Sequence, residues 1–213
     1  MSDPVHFCGQ SAVTADRAVP PIWHKKSLTW AWAGNLPNVS DDQARSAARE
    51  AFASWAGACG LAFTEAAGGA DITMTSGPED GPSGVLAWSE LPNGYDRPIL
   101  QQYDQAERFV IAIRPPNGYI DLVAVMTHEI GHALGLDHTA QGTGDLMEPV
   151  YQAGRRTPQP GDVRRIQSLY GPAAAVPAPS APDAPAQPSG SVVTIRITNA
   201  SRIEIPGYRV TKL

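Results

Sequence analysis

Cysteine and histidine are scarce in this chain, with two of the first and five of the second among 213 residues. Two cysteines, Cys8 and Cys59, exclude a thiolate-only zinc site and allow at most one disulfide. Basic residues never gather beyond pairs such as Lys25-Lys26 and Arg155-Arg156. With a net charge of −5, nothing resembles a nucleic-acid-binding patch. No uninterrupted apolar run reaches the length of a membrane span. The segment Met1 to Phe7 has neither the basic start nor the apolar core of a secretory signal, which fits a processed chain or another export route. What is present, 42% apolar residues, suits one well-buried domain plus a tail.

Residues 1–22 read as an irregular N-terminal segment, since Pro20-Pro21 opposes helix. A domain over 23–171 follows. Ser27 to Ala33 alternates polar with bulky apolar residues and predicts a strand. Ser40 with Gln43 forms a capping box, and Ala44, Ala47, Ala48, Ala51, Phe52 and Trp55 recur at helical spacing. Leu61 to Glu65, Ala70 to Thr75, Gly84 to Trp88 and Phe109 to Ile113 are further predicted strands, with a polar loop from Glu90 to about Glu107. Asp121 is a candidate cap for a second helix, and a last helix spans about Gly161 to Tyr170, stopped by Gly171. Residues 172–190 are a Pro/Ala/Ser linker. Residues 191–213 alternate around Asn199-Ala200-Ser201 as a hairpin that needs a docking partner or surface.

The chemistry lies in His128-Glu129-Ile130-Gly131-His132-Ala133-Leu134-Gly135-Leu136-Asp137-His138. On a helix His128 and His132 share one face, so both imidazoles can reach one ion. Glu129 sits beside that face, near enough to act as general base on a water at the ion. Gly135 permits a sharp exit through φ > 0 that returns His138 as third ligand. Three imidazoles leave a fourth position of tetrahedral zinc open, as catalysis requires. Chance would produce this pattern on the order of once in 100,000 chains of this size.

These residues resemble the signature of the metzincin peptidases, and Met147 in Asp145-Leu146-Met147-Glu148-Pro149 resembles their Met-turn beneath the metal. Within that group the chain is similar to the matrixins. The likeness covers Leu28-Thr29-Trp30, Ala51 to Trp55, Ala70-Asp71-Ile72, Gly84 to Ala87 and Ile166 to Gly171. It implies an α/β metzincin fold: a twisted, mostly parallel five-stranded sheet with an antiparallel edge strand, an active-site helix, the Met-turn and a C-terminal helix. It further implies a secreted, monomeric zinc endopeptidase with one catalytic ion. An extended polypeptide substrate would pair with the edge strand at Leu86 and Ala87, and Tyr151 would wall the pocket for the side chain after the scissile bond. A protease-like binding module without turnover is the alternative, which an intact Glu129 disfavours.

Two departures from the family stand out. Matrixins hold a second, structural zinc through three histidines and an aspartate around the edge strand. Here no histidine lies between Lys25 and Thr127, and Trp88 occupies a ligand's place. Asp71, Asp80, Asp96, Asp104 and Glu107 are carboxylates available to calcium, though scattered carboxylates are ordinarily solvated. Cys8-Gly9 lies where matrixin zymogens carry an inhibitory cysteine, but Phe7 and Gln10-Ser11 do not match its surroundings. Zinc blocking by Cys8, a Cys8–Cys59 disulfide and two separate thiols remain as readings.

Overall fold

A computed structural model describes residues 22–173 and, by backbone alone, residues 6–8. The predicted linker and terminal hairpin lie almost wholly outside the described residues.

Six strands form the main sheet: β1 (His6–Cys8), β2 (Ser27–Trp32), β3 (Ala62–Glu65), β4 (Ile72–Gly77), β5 (Val85–Ser89) and β6 (Ile99–Asp104). Their order is β1-β5-β6-β4-β2-β3, with every pair parallel except β5 against β6. The predicted mixed sheet is therefore present, with two corrections. The stretch from Glu90 to Glu107, expected as a loop, contains β6, which pairs with β4 over its whole length. Its centre is Gln101, a fully buried amide that receives the Tyr103 hydroxyl at 3.0 Å and donates to Ser89 Oγ at 3.2 Å. Buried polar groups are tolerated when bonded in this way. The second correction is β1, found within the segment expected to be irregular. It pairs with β5, placing His6 opposite Val85 and Cys8 opposite Ala87. β5 is thus covered on its outer side.

Helix α1 (Asp41–Ala56) begins at the predicted capping box, with Ser40 N–H donating to Gln43 Oε1 at 3.0 Å and Gln43 N–H to Ser40 Oγ at 3.3 Å. Its apolar stripe is buried as expected. Phe52 stacks on Trp30 of β2, ring centroids 5.0 Å apart. Helix α2 (Leu122–Ala133) is buried at every position, as a helix apolar nearly all round must be. α1 lies over β2 and β3, α2 over β5 and β6, and the two helices touch, so both cover one face of the sheet. The predicted strand at Phe109 shrinks to β7 (Phe109–Val110), paired with β8 (Ile120–Asp121) just before α2. Helix α3 (Pro160–Tyr170) ends at Gly171, φ 80°.

Candidate metal centre

Helix α2 is gripped from three sides. Trp55 of α1 donates its indole N–H to Thr127 O at 2.8 Å. At the C-terminal end, where helix carbonyls lack partners, Trp23 donates to Ala133 O at 2.8 Å and Tyr170 to Leu134 O at 2.8 Å. The helix stops in a Schellman turn: Gly135 N–H reaches His132 O at 2.8 Å and Leu136 N–H reaches Gly131 O at 3.0 Å, with Gly135 at φ 95°. The turn brings His138 back over the helix.

The result is a triangle of nitrogens. His132 Nε2 lies 3.1 Å from His128 Nε2 and 3.2 Å from His138 Nε2, and the third side is 3.3 Å. His128 Nδ1 donates to Leu146 O at 2.8 Å and His132 Nδ1 to Leu136 O at 2.7 Å. A carbonyl only accepts, so these bonds fix the tautomer and leave both Nε2 lone pairs aimed inward. Burial holds both rings neutral: it pushes His128 well below the ordinary range and, with the nearby His138, takes His132 down to about 3. Ligand atoms about 2.0–2.1 Å from a tetrahedral zinc lie roughly 3.3–3.4 Å apart. The spacing observed fits such an ion. Among the described residues these three form the one such cluster of metal-binding side chains.

Glu129 is fully buried, and neither carboxylate oxygen has a hydrogen-bond partner. Burial raises its pKa well above the usual value. An orphaned carboxylate is costly in a natural core. Its neighbours on the helix are His128 and, three residues on, His132.

Beneath the triangle, Gly131 has no room for a side chain: a Cβ would stand 2.4 Å from Met147 Sδ and 3.0 Å from Trp55 Cζ2. Met147 is thus buried against the back of α2 and offers packing. Its turn hangs on Asp162 of α3, whose buried carboxylate accepts Leu146 N–H at 2.7 Å and Met147 N–H at 3.2 Å. Sequence reasoning missed Asp162. Its only local signal is its place at the third position of a helix, where its side chain and that of Gln159 make a reciprocal cap.

The remaining predicted residues are placed as follows. Leu86 and Ala87 lie in β5 with buried side chains, so a neighbouring strand meets only their backbone, where β1 lies. Tyr151 is half-buried against the core, and its hydroxyl accepts Asp121 N–H at 3.0 Å. Asp121 precedes α2, and its carboxylate receives Arg156 in a two-toothed grip, at 2.6 and 2.8 Å. Cys59 is a free, buried thiol donating to Trp55 O at 3.3 Å. Where a second zinc ligand is absent, the Trp88 indole N–H donates to Glu79 Oε1, which also accepts Gln102 Nε2 at 2.5 Å. Of the five carboxylates considered for calcium, Asp71 receives Lys25 Nζ at 2.5 Å and Asp96 receives His24 N–H at 2.7 Å. Asp80, Asp104 and Glu107 accept backbone amides of Val85, Gly81 and Ser83.

The matrixin family model matches residues 22–171. Human matrix metalloproteinase-20 is 34% identical over 183 residues, covering 78% of this chain and 36% of that protein. Human matrix metalloproteinase-16 is 32% identical (75% and 29% covered), and pig interstitial collagenase 33% (78% and 36%). The chain spans about a third of the length of these curated relatives. With the matched region running from just before β2 to the end of α3 and the histidine triangle at its centre, the chain belongs to the matrixin family of zinc metalloendopeptidases.

Proposed function

We propose that this protein is a zinc-dependent endopeptidase that hydrolyses internal bonds of extended polypeptides outside the cell. The observation that carries the reading is the triangle of inward-facing Nε2 atoms beside the unpartnered carboxylate of Glu129. His128, His132 and His138 would hold the ion. Zinc, when bound, supplies Lewis acidity that polarises a carbonyl and makes water acidic. Glu129 takes a proton from the attacking water as its oxygen bonds to the carbonyl carbon. It delivers that proton to the leaving nitrogen as the C–N bond breaks. The outer backbone edge of β5 at Leu86 and Ala87 receives the substrate strand, and Tyr151 walls the pocket beside it.

In this reading β1 sits where a substrate strand would pair, so the N-terminal segment keeps the enzyme latent and its removal opens β5. The reading is tested by zinc analysis together with chelator-sensitive cleavage of casein. One zinc per chain, cleavage abolished by chelator and restored by zinc, and no cleavage by Glu129→Ala are expected. Zinc binding without any cleavage, even after removal of residues 1–21, would leave a binding module instead.

A further inference from the structure

The segment after the Met-turn is closed on a single residue at both ends. Tyr151 rests its hydroxyl on the backbone N–H of Asp121 at 3.0 Å. Five residues later Arg156 grips the Asp121 carboxylate with two nitrogens, at 2.6 and 2.8 Å. Between them the chain reverses, with Arg155 N–H bonded to Gln152 O at 3.3 Å and Gly154 at φ 85°. Gln152, Ala153 and Gly154 are exposed, so the only apolar anchor of the clasp is the Tyr151 ring at its start. Polar bonds hold the rest. Asp121 is fully buried, and Arg156 also reaches Glu50 of α1 at 3.0 Å. The same Asp121 immediately precedes α2, which carries His128 and Glu129 two turns further on.

We propose that Asp121 and Arg156 are positioning residues that set the depth of the side-chain pocket by locking Tyr151 and residues 151–156 to the start of the active-site helix. This rests on the peptidase reading and on Tyr151 as pocket wall. A planar guanidinium matches a carboxylate in two parallel bonds, which an ammonium does not reproduce. Arg156→Lys therefore keeps the charge and loosens the clasp, whereas Arg156→Ala leaves Asp121 buried and unpaired.

The test uses the full chain activated by cleavage before Ile22, loaded with zinc, on two peptides differing only in the residue after the scissile bond, leucine or alanine. Arg156→Lys is expected to lower the leucine-to-alanine ratio of kcat/KM by about tenfold, a typical worth for pocket contacts, through KM. Zinc content should match the wild type. Arg156→Ala should lower the ratio further if it folds; Arg156→Lys decides the matter if it does not. An unchanged ratio in Arg156→Lys, or an equal fall on both peptides, overturns the proposal and leaves a structural brace. Tyr151→Ala separates the two levels. If it too leaves the ratio unchanged, the pocket assignment falls and this inference with it. If it shifts the ratio while Arg156→Lys does not, this inference alone falls. Wild-type protein that cleaves neither peptide overturns the peptidase reading and the inference together.

Discussion

At the scale of single residues, burial holds the ionisable groups of the centre toward their neutral forms. His132, pushed down to about 3, and His128, well below its usual value, stay neutral in the fold. Their unfolded counterparts bind protons from about pH 6.5 downward. That stability is therefore present above pH 6.5 and lost as pH falls toward 3. Glu129 has the opposite sign: raised by burial, it favours the fold below its ordinary 4.5 and opposes it as pH rises. In chelator, the melting temperature of Glu129→Gln minus that of the wild type should widen as pH climbs above 4.5. A difference that stays flat from pH 4 to 8 contradicts the burial of an unpaired carboxylate. With zinc, the same variant should bind the ion normally and lose about 10²–10⁴-fold in turnover, while His132→Ala should fail to retain zinc on dialysis. Gly131 makes a purely steric prediction. Gly131→Ala forces a Cβ to 2.4 Å from Met147 Sδ, and overpacking of this kind costs about 1–3 kcal/mol, readable by urea unfolding.

At the scale of elements, the centre depends on two turns that bring distant backbone to α2. Gly135 at φ 95° ends the helix and returns His138. A Cβ in that left-handed region costs roughly 1–2 kcal/mol, so Gly135→Ala should weaken zinc binding in a competitive chelator titration as well as stability. Asp162 fixes the other turn; Asp162→Ala strips two buried amides of their acceptor and should release Leu146 O from His128. The first turn was legible in the sequence; of the second, Met147 was legible and the Asp162 that holds it was not, for a physical reason. Gly135 belongs to a contiguous pattern whose spacing follows from helix geometry, as does the Ser40 capping box. Asp162 acts across sixteen residues on backbone groups, which leave no mark on composition. The same holds for Arg156 and Asp121, joined across 35 positions. Strand β6 was hidden for a different reason. Its buried centre is a glutamine that looks like loop until Ser89 and Tyr103 are seen to satisfy it. Strand β1 is three residues long, and its pairing spans almost eighty positions.

At the scale of the molecule, β5 is braced by side chains at the place where the resemblance to matrixins implies a structural ion. Glu79, shared by Trp88 and Gln102, ties the approach to β5 onto β5 and β6. Metal analysis of dialysed protein should give one zinc per chain, and chelation should abolish cleavage while far-ultraviolet circular dichroism stays unchanged. Two tightly held ions would show that this bracing is not a replacement. Cleavage of small peptides should survive deletion of residues 174–213, because α3 is complete at Tyr170 and capped by Gly171. Removing residues 1–21 should raise activity. The pairing of β1 with β5 makes that last effect a matter of tethering. If β1 occupies the substrate's place, as proposed, a strand linked to β5 through residues 9–21 competes with substrate at a local concentration of about millimolar order, whatever the protein concentration outside. Dilution does not relieve such inhibition, and substrate relieves it only when its own concentration, weighted by affinity, outweighs the local one. Cutting the tether does, because a segment that then dissociates can rebind only from its bulk concentration, of about micromolar order. Proteolysis of the tether then acts as a one-way switch without any change in the affinity of β5 for a strand.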